Sequence, residues 1–104
     1  TAADFDPEVL ILFDAYVQVV HAVARAGRGE REPAVDALSR LSSYVAQSGL
    51  VDPDIAAMAE RTGALMRGHG WLDEARRAFR LAEGQYRAAD RPDDVARVRQ
   101  LVRT

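Results

Sequence analysis

Four prolines constrain this chain more than any other feature. Three of them sit among acids, in Asp6-Pro7-Glu8, Asp52-Pro53-Asp54 and Arg91-Pro92-Asp93-Asp94, and Pro33 follows Glu32. Proline holds φ near about −65° and lacks an N–H, so it suits the first turn of a helix, where that N–H has no partner anyway. Acids nearby favour the positive end of the helix dipole. Asp6 and Asp52 are natural N-caps, able to accept from an orphan backbone N–H. The prolines therefore mark helix starts rather than breaks. Glycines supply the stops. Gly27 and Gly29 lie in the charged loop from Arg25 to Glu32, Gly49 follows Ser48 at a C′ position, and Gly68 and Gly70 bracket His69 in a tight turn. The expected helices run near 7–26, 33–48, 53–67, 71–89 and 92–103. No strand is expected, since few stretches alternate with period two.

Composition narrows the class. A length of 104 residues fits a single domain spanning 1–104. With 48% of residues hydrophobic, the chain can fill a core and is not disordered. Cysteine is absent, which excludes a disulfide scaffold and a thiolate metal site and agrees with a reducing, cytoplasmic setting. The formal charge of −2 argues against a strongly basic nucleic-acid domain. All basic side chains are arginine, a bias typical of a GC-rich bacterial coding genome. Without an initiator methionine or a signal pattern, the sequence reads as a fragment of a longer chain. The longest apolar run, Val9 to Phe13, ends at Asp14, so no membrane span is expected.

Helical periodicity is clear in the later segments. Leu72, Ala75, Phe79, Ala82, Tyr86 and Ala89 repeat at three- and four-residue steps, with Arg76, Arg77, Arg80, Glu83 and Arg87 on the remaining side. The stripe Ile55, Met58 or Ala59, Thr62, Leu65 and Met66 defines the third helix, and Ala34, Ala37, Leu38, Leu41, Tyr44 and Val45 the second. The first helix differs. Its strongly polar positions, Asp14, Gln18, His21 and Arg25, form one narrow stripe, and nearly everything else is apolar. A helix apolar on most sides is buried on most sides. Either it is the central helix, or it packs on another subunit or on a further part of the parent chain.

From Ala56 to Ala89 the chain resembles a tetratricopeptide repeat, a 34-residue pair of antiparallel helices with small residues where they touch. Gly63 falls at the small position of the first helix of the pair, Gly70 in the turn, and Ala75, Phe79 and Ala82 match the small–aromatic–small series of the second. Ala59, Thr62 and Arg87 depart from the pattern, standing where the family has an aromatic, a leucine and a proline. The second helix echoes the fourth at an offset of 38, aligning Ala34, Ala37, Leu41 and Tyr44 with Leu72, Ala75, Phe79 and Ala82. The resemblance implies an all-α fold of about five helices in stacked antiparallel hairpins. It also implies a concave face, which here would carry Glu60, Ala64 and Arg67. The basic and amide clamp that some members close on a terminal carboxylate is missing, because Glu60 and Ala64 do not supply it.

No constellation carries catalysis. His21 and His69 lie apart, and no metal-ligand spacing links them. Ser39, Ser42, Ser43 and Ser48 have no nucleophile motif around them. The pairs Asp73-Glu74 and Asp93-Asp94 sit at helix starts, where the dipole accounts for them. No glycine pattern fits a phosphate or dinucleotide loop, so no cofactor is expected. Residues 53–104 hold ten arginines against eight acids, and Arg76, Arg80 and Arg87 share a face that reads as solvated or as a surface for an acidic protein. The function expected is a protein–protein interaction module within a larger regulatory or scaffolding protein. It would self-associate through Leu12, Phe13, Tyr16, Val17 and Val20 of the first helix, giving a homo-oligomer with no role for nucleic acid or membrane. The alternative is a ligand-sensing domain with a pocket lined by Tyr16, Tyr44, Trp71 and Phe79.

Overall fold

The computed structural model of the chain describes residues 7–103, the Glu8 side chain excepted. Five helices occupy that span: α1 Pro7–Gly27, α2 Arg31–Ser48, α3 Pro53–Gly68, α4 Leu72–Ala88 and α5 Pro92–Arg103. Among the described residues there is no strand. The expected boundaries hold to within two residues, and the fold is all-α. α2 begins at Arg31, which makes Pro33 its third residue rather than its first. The first turn tolerates this because its N–H groups have no intrahelical acceptor. Asp52 caps α3 as expected, its Oδ1 accepting from the N–H groups of Asp54 (2.8 Å) and Ile55 (3.2 Å). Asp6 lies outside the described residues. Gly49 ends α2 at φ 68°, its N–H donating to the Val45 carbonyl.

Short turns make α1–α2 and α3–α4 antiparallel hairpins. The second hairpin stacks on the first, α3 lying along α1 and α2 touching α4, and α5 folds back on α4. The result is a slab of 47 × 31 × 17 Å.

One turn recurs three times. Gly29, Gly70 and Asp90 take positive φ values of 77°, 82° and 56°. The residue after each donates to a carbonyl five residues back: Glu30 to Arg25, Trp71 to Met66 and Arg91 to Tyr86, all at 2.9 Å. Each of those residues then accepts the first bond of the next helix, from Ala34, Ala75 and Val95. Glu30 and Trp71 are thus equivalent, and the hairpin repeat is 41 residues, not 38. In this register Ala34, Ala37, Leu38 and Leu41 match Ala75, Ala78, Phe79 and Ala82, and all eight are buried. Aligning on composition alone slid the match by almost one helical turn, because alanine recurs at every three or four positions of both helices.

Small residues set the closeness of α3 to α4. Ala56, Ala59 and Gly63 face Ala75, Ala78 and Ala82, with Met66, Phe79 and Tyr86 filling the remaining space. A Cβ at Gly63 would lie 2.7 Å from Phe79 Cε1, so the Phe79 ring occupies the room that glycine leaves. A second cluster, Ala15, Val19, Leu41 and Ile55, seals α1 and α2 to the start of α3.

Candidate interaction surface on the first helix

α1 is not central. It packs on α2 and α3 through Ala15, Val19, Ala22 and Ala26, which are fully buried, and leaves its other side open. These residues are one or two methyl groups deep, so the helix sits close on its neighbours and turns much of its apolar surface outward. Of the residues expected to mediate association, the fold separates two groups. Leu12 and Tyr16 are half-buried and pack on the Ala15–Ile55 cluster. Tyr16 donates its hydroxyl to Asp52 Oδ1 (3.0 Å) and is tied by it to the cap of α3. Burial, and then the hydrogen bond to this carboxylate, push the Tyr16 phenol up to about 12. Phe13, Val17 and Val20 point to solvent and are 69%, 37% and 48% exposed. Leu10, at 49%, extends the same row, and exposed Ala24 continues it. The sequence reading missed Leu10 because helical wheels show a period but not which side the neighbours occupy.

The row Leu10, Phe13, Val17, Val20, Ala24 runs about 21 Å along the helix at 1.5 Å per residue. Beside it, about a quarter turn away, runs the polar stripe. Asp14 and His21 are exposed and have no hydrogen-bond or ion-pair partner among the described residues. Arg25 lies 3.7 Å from Glu30. Gln18 buries its Oε1 without a partner. By length and composition Val9–Gly27 is also apolar enough to cross a membrane, with a mean hydropathy of 1.5. Asp14 and Arg25 are the charged residues of this span, and its longest uninterrupted apolar run remains Val9 to Phe13.

The remaining candidates are used by the fold itself. Glu60 accepts two bonds from Arg97, Nη2 to Oε1 (2.7 Å) and Nε to Oε2 (3.0 Å), and one from the Tyr86 hydroxyl (3.0 Å). Arg97 also donates to Asp94 Oδ1 at 2.6 Å. These bonds lock α5 over α3 and α4. Hydrogen bonding from Arg97 holds both the Glu60 and the Asp94 carboxyl below their usual range. Burial, then the bond to Glu60, pushes the Tyr86 phenol up to about 12. Arg67 lies over the Phe79 ring at 5.6 Å, and Ala64 is exposed. On α4, Arg76 pairs with Asp73 (3.3 Å) and Arg87 with Glu83 (2.9 Å), while Arg80 is exposed. Glu83 also takes a bond from Arg99 (2.5 Å), so the expected basic face is largely neutralised.

The four aromatics expected to line a pocket are dispersed. Phe79 is in the core, Trp71 stacks on His69 at 4.7 Å, Tyr16 is tied to Asp52, and Tyr44 borders a shallow groove with Ser39, Arg40, Ser43 and Gln47. His69 donates from Nε2 to the Ala26 carbonyl (2.8 Å), which fixes its tautomer and ties the α3–α4 turn to the end of α1. Among the described residues no group of three or more His, Asp or Glu is placed to hold a metal ion.

Fold and surface together describe an all-α protein of stacked helical hairpins with an apolar outer row on its first helix. Neither a protein-family model, nor a curated protein, nor a solved structure matches the chain.

Proposed function

We propose that this chain is a tetratricopeptide-like interaction module that self-associates through the outer face of α1, within a larger scaffolding or regulatory protein. One observation carries the reading. Leu10, Phe13, Val17 and Val20 form a continuous exposed apolar row, whereas the other large exposed apolar residues beyond α1, Val51 and Leu72, stand singly. Scattered apolar residues on a surface need no explanation, but a contiguous row marks an interaction site. Covering half of an exposed leucine, valine or phenylalanine is worth about 1 kcal/mol. Four such residues on each partner suit a reversible, micromolar association rather than a permanent one. The likeness to tetratricopeptide repeats is supported in the second hairpin by Gly63 seated under Phe79. The 41-residue spacing is longer than that family's, since α2 and α3, which lie between the two turns, have 18 and 16 residues and a loop joins them.

Light scattering and sedimentation across the micromolar range test the reading. A reversible dimer is expected, and Val17→Glu dissociates it into a folded monomer, because Val17 is an outward residue. A strict monomer at every concentration refutes self-association.

A further inference from the structure

The equivalence of the two hairpins says what the outer row is not for. With the turns aligned 41 residues apart, Asp14, Gln18, His21 and Arg25 of α1 correspond to Ile55, Ala59, Thr62 and Met66 of α3. Those four α3 residues are fully buried. Ile55 packs with Ala15, Val19 and Leu41 of the first hairpin, and Ala59 and Met66 share a cluster with Ala26 and Leu38 of that hairpin as well as with α4, so this side of α3 meets the hairpin before it. On α1 the same face is polar. Another hairpin stacked in this way would bury Asp14, His21 and Arg25, at a cost that unpaired charges make high. Polar outer faces of this kind cap the ends of stacked repeats. The apolar row lies about a quarter turn from that face, so its partner is not one more hairpin of the stack.

The row itself matches a second copy of α1. Leu10, Phe13, Val17, Val20, Ala24 and Gly27 follow the alternating three- and four-residue steps of a two-helix seam, and Ala24 and Gly27 are exposed like the rest. Large residues fill its first half and small ones its end. Run antiparallel, with Val17 of one copy against Val20 of the other, the seam places Phe13 opposite Ala24 and Leu10 opposite Gly27. Every layer then pairs large with small or valine with valine. Run parallel, Phe13 meets Phe13 while Ala24 meets Ala24 and leaves a gap. The antiparallel register also sets Asp14 of each copy beside His21 of the other. His21 has a ring N–H to give to the Asp14 carboxylate in either protonation state. Both residues lack partners within their own chain among the described residues.

We infer that two copies of this chain pair through α1 in an antiparallel, two-fold arrangement, with Phe13 seated on Ala24 and Asp14 hydrogen-bonded to His21 across the interface at both ends. The inference rests on the self-association proposed above and adds its geometry. A closed two-fold contact of this type uses the same patch on both copies and stops at two.

Because the chain has no cysteine, an introduced one is its sole thiol. A disulfide needs Cα atoms within about 7 Å. In the antiparallel pair the two copies of residue 10 are about 25 Å apart, and those of residue 24 about 17 Å apart, at 1.5 Å per residue. Leu10→Cys and Ala24→Cys proteins therefore form no self-disulfide under mild oxidation. A mixture of Val17→Cys and Val20→Cys proteins forms the mixed disulfide, identified by mass. Asp14→Lys weakens the dimer roughly ten-fold, as an ammonium that only donates replaces the carboxylate acceptor at both ends, and adding His21→Glu restores it. Both positions are exposed, and helix content by circular dichroism confirms that these variants fold. Self-disulfides at Leu10→Cys or Ala24→Cys overturn the antiparallel arrangement while leaving the dimer in place. So does a charge swap as weak as Asp14→Lys alone. A strict monomer removes self-association altogether, and a monomer that floats with lipid vesicles assigns the row to a membrane surface instead.

Discussion

Replacing Gly63 by alanine sets two effects of known size against each other. In the interior of an exposed helix the change stabilises by about 1 kcal/mol, because glycine is the costlier residue to order. At Gly63 the new methyl would sit 2.7, 2.8 and 3.1 Å from Cε1, Cδ1 and Cζ of Phe79. Unstrained carbon contacts lie at about 3.5–4.0 Å, so the ring must retreat by most of an ångström. It has nowhere to go. Phe79 is 1% exposed, and the cavity it lines with Arg67, Leu101 and Val102 holds only about 10 Å³. Forcing an extra methyl into a filled core costs about 1–3 kcal/mol, and the tight fit puts this site at the upper end. The net loss is therefore about 1–2 kcal/mol. For a domain of this length that lowers the melting temperature by roughly 5–15 °C. Gly84 is the control, since a Cβ there meets nothing within 4 Å and the residue lies inside α4. Melting curves by circular dichroism should move down for Gly63→Ala and up for Gly84→Ala. In a Phe79→Leu background the Gly63→Ala penalty should vanish. A Gly63→Ala protein that melts higher, as Gly84→Ala does, would refute the argument that this glycine exists to seat Phe79.

Further outcomes follow from the hydrogen bonds. Gln85 is buried, donates from Nε2 to the Leu50 carbonyl (2.8 Å) and accepts from the Asp52 N–H (2.8 Å), so Gln85→Ala strands two backbone groups and should cost about 2–4 kcal/mol by urea melts. Tyr16 and Tyr86 titrate at about 12 in the fold against 10.0 in the open chain. A phenol whose folded pKa is raised stabilises fully below the open-chain value, and that stability is lost as pH climbs from 10 through 12, so absorbance at alkaline pH should show late ionisation that moves earlier on unfolding. Glu60 is the opposite case. Its lowered pKa contributes stability above 4.5 that is lost as pH falls through the folded value, and Arg97→Gln should flatten this acid limb of the stability curve.

The helices were legible because their ends are written in local chemistry. Pro7, Pro53 and Pro92 opened helices, Asp52 capped one and Gly49 closed one, all through interactions within a few residues. Gly63 and Phe79 were legible as a small–aromatic pair because the likeness to a known repeat supplied the partner. Other features depend on distant neighbours and left no local trace. Gln85 carries no motif, and only the fold shows it clamping the α2–α3 loop. Asp90 takes a left-handed conformation without glycine, so the third copy of the turn went unseen. The inward–outward split of α1, with Leu12 and Tyr16 in and Phe13 and Val17 out, could not be read from a helix apolar on most sides. Its direction is set by where α2 and α3 lie.

The shallow seating of α1 has a consequence for handling and for the fate of the chain. Alanines and one valine form the fully buried face of this helix, with Leu12 and Tyr16 half-buried beside them, whereas Leu10, Phe13, Val17 and Val20 face out. A fluctuation that lifts α1 away bares the small-residue bed on α2 and α3 together with a 19-residue apolar segment. Partly opened molecules of this kind stick to one another before they unfold completely. Heat or dilute denaturant should precipitate the protein before its helix content falls, and pairing of α1 with a second copy would protect solubility by keeping that edge closed.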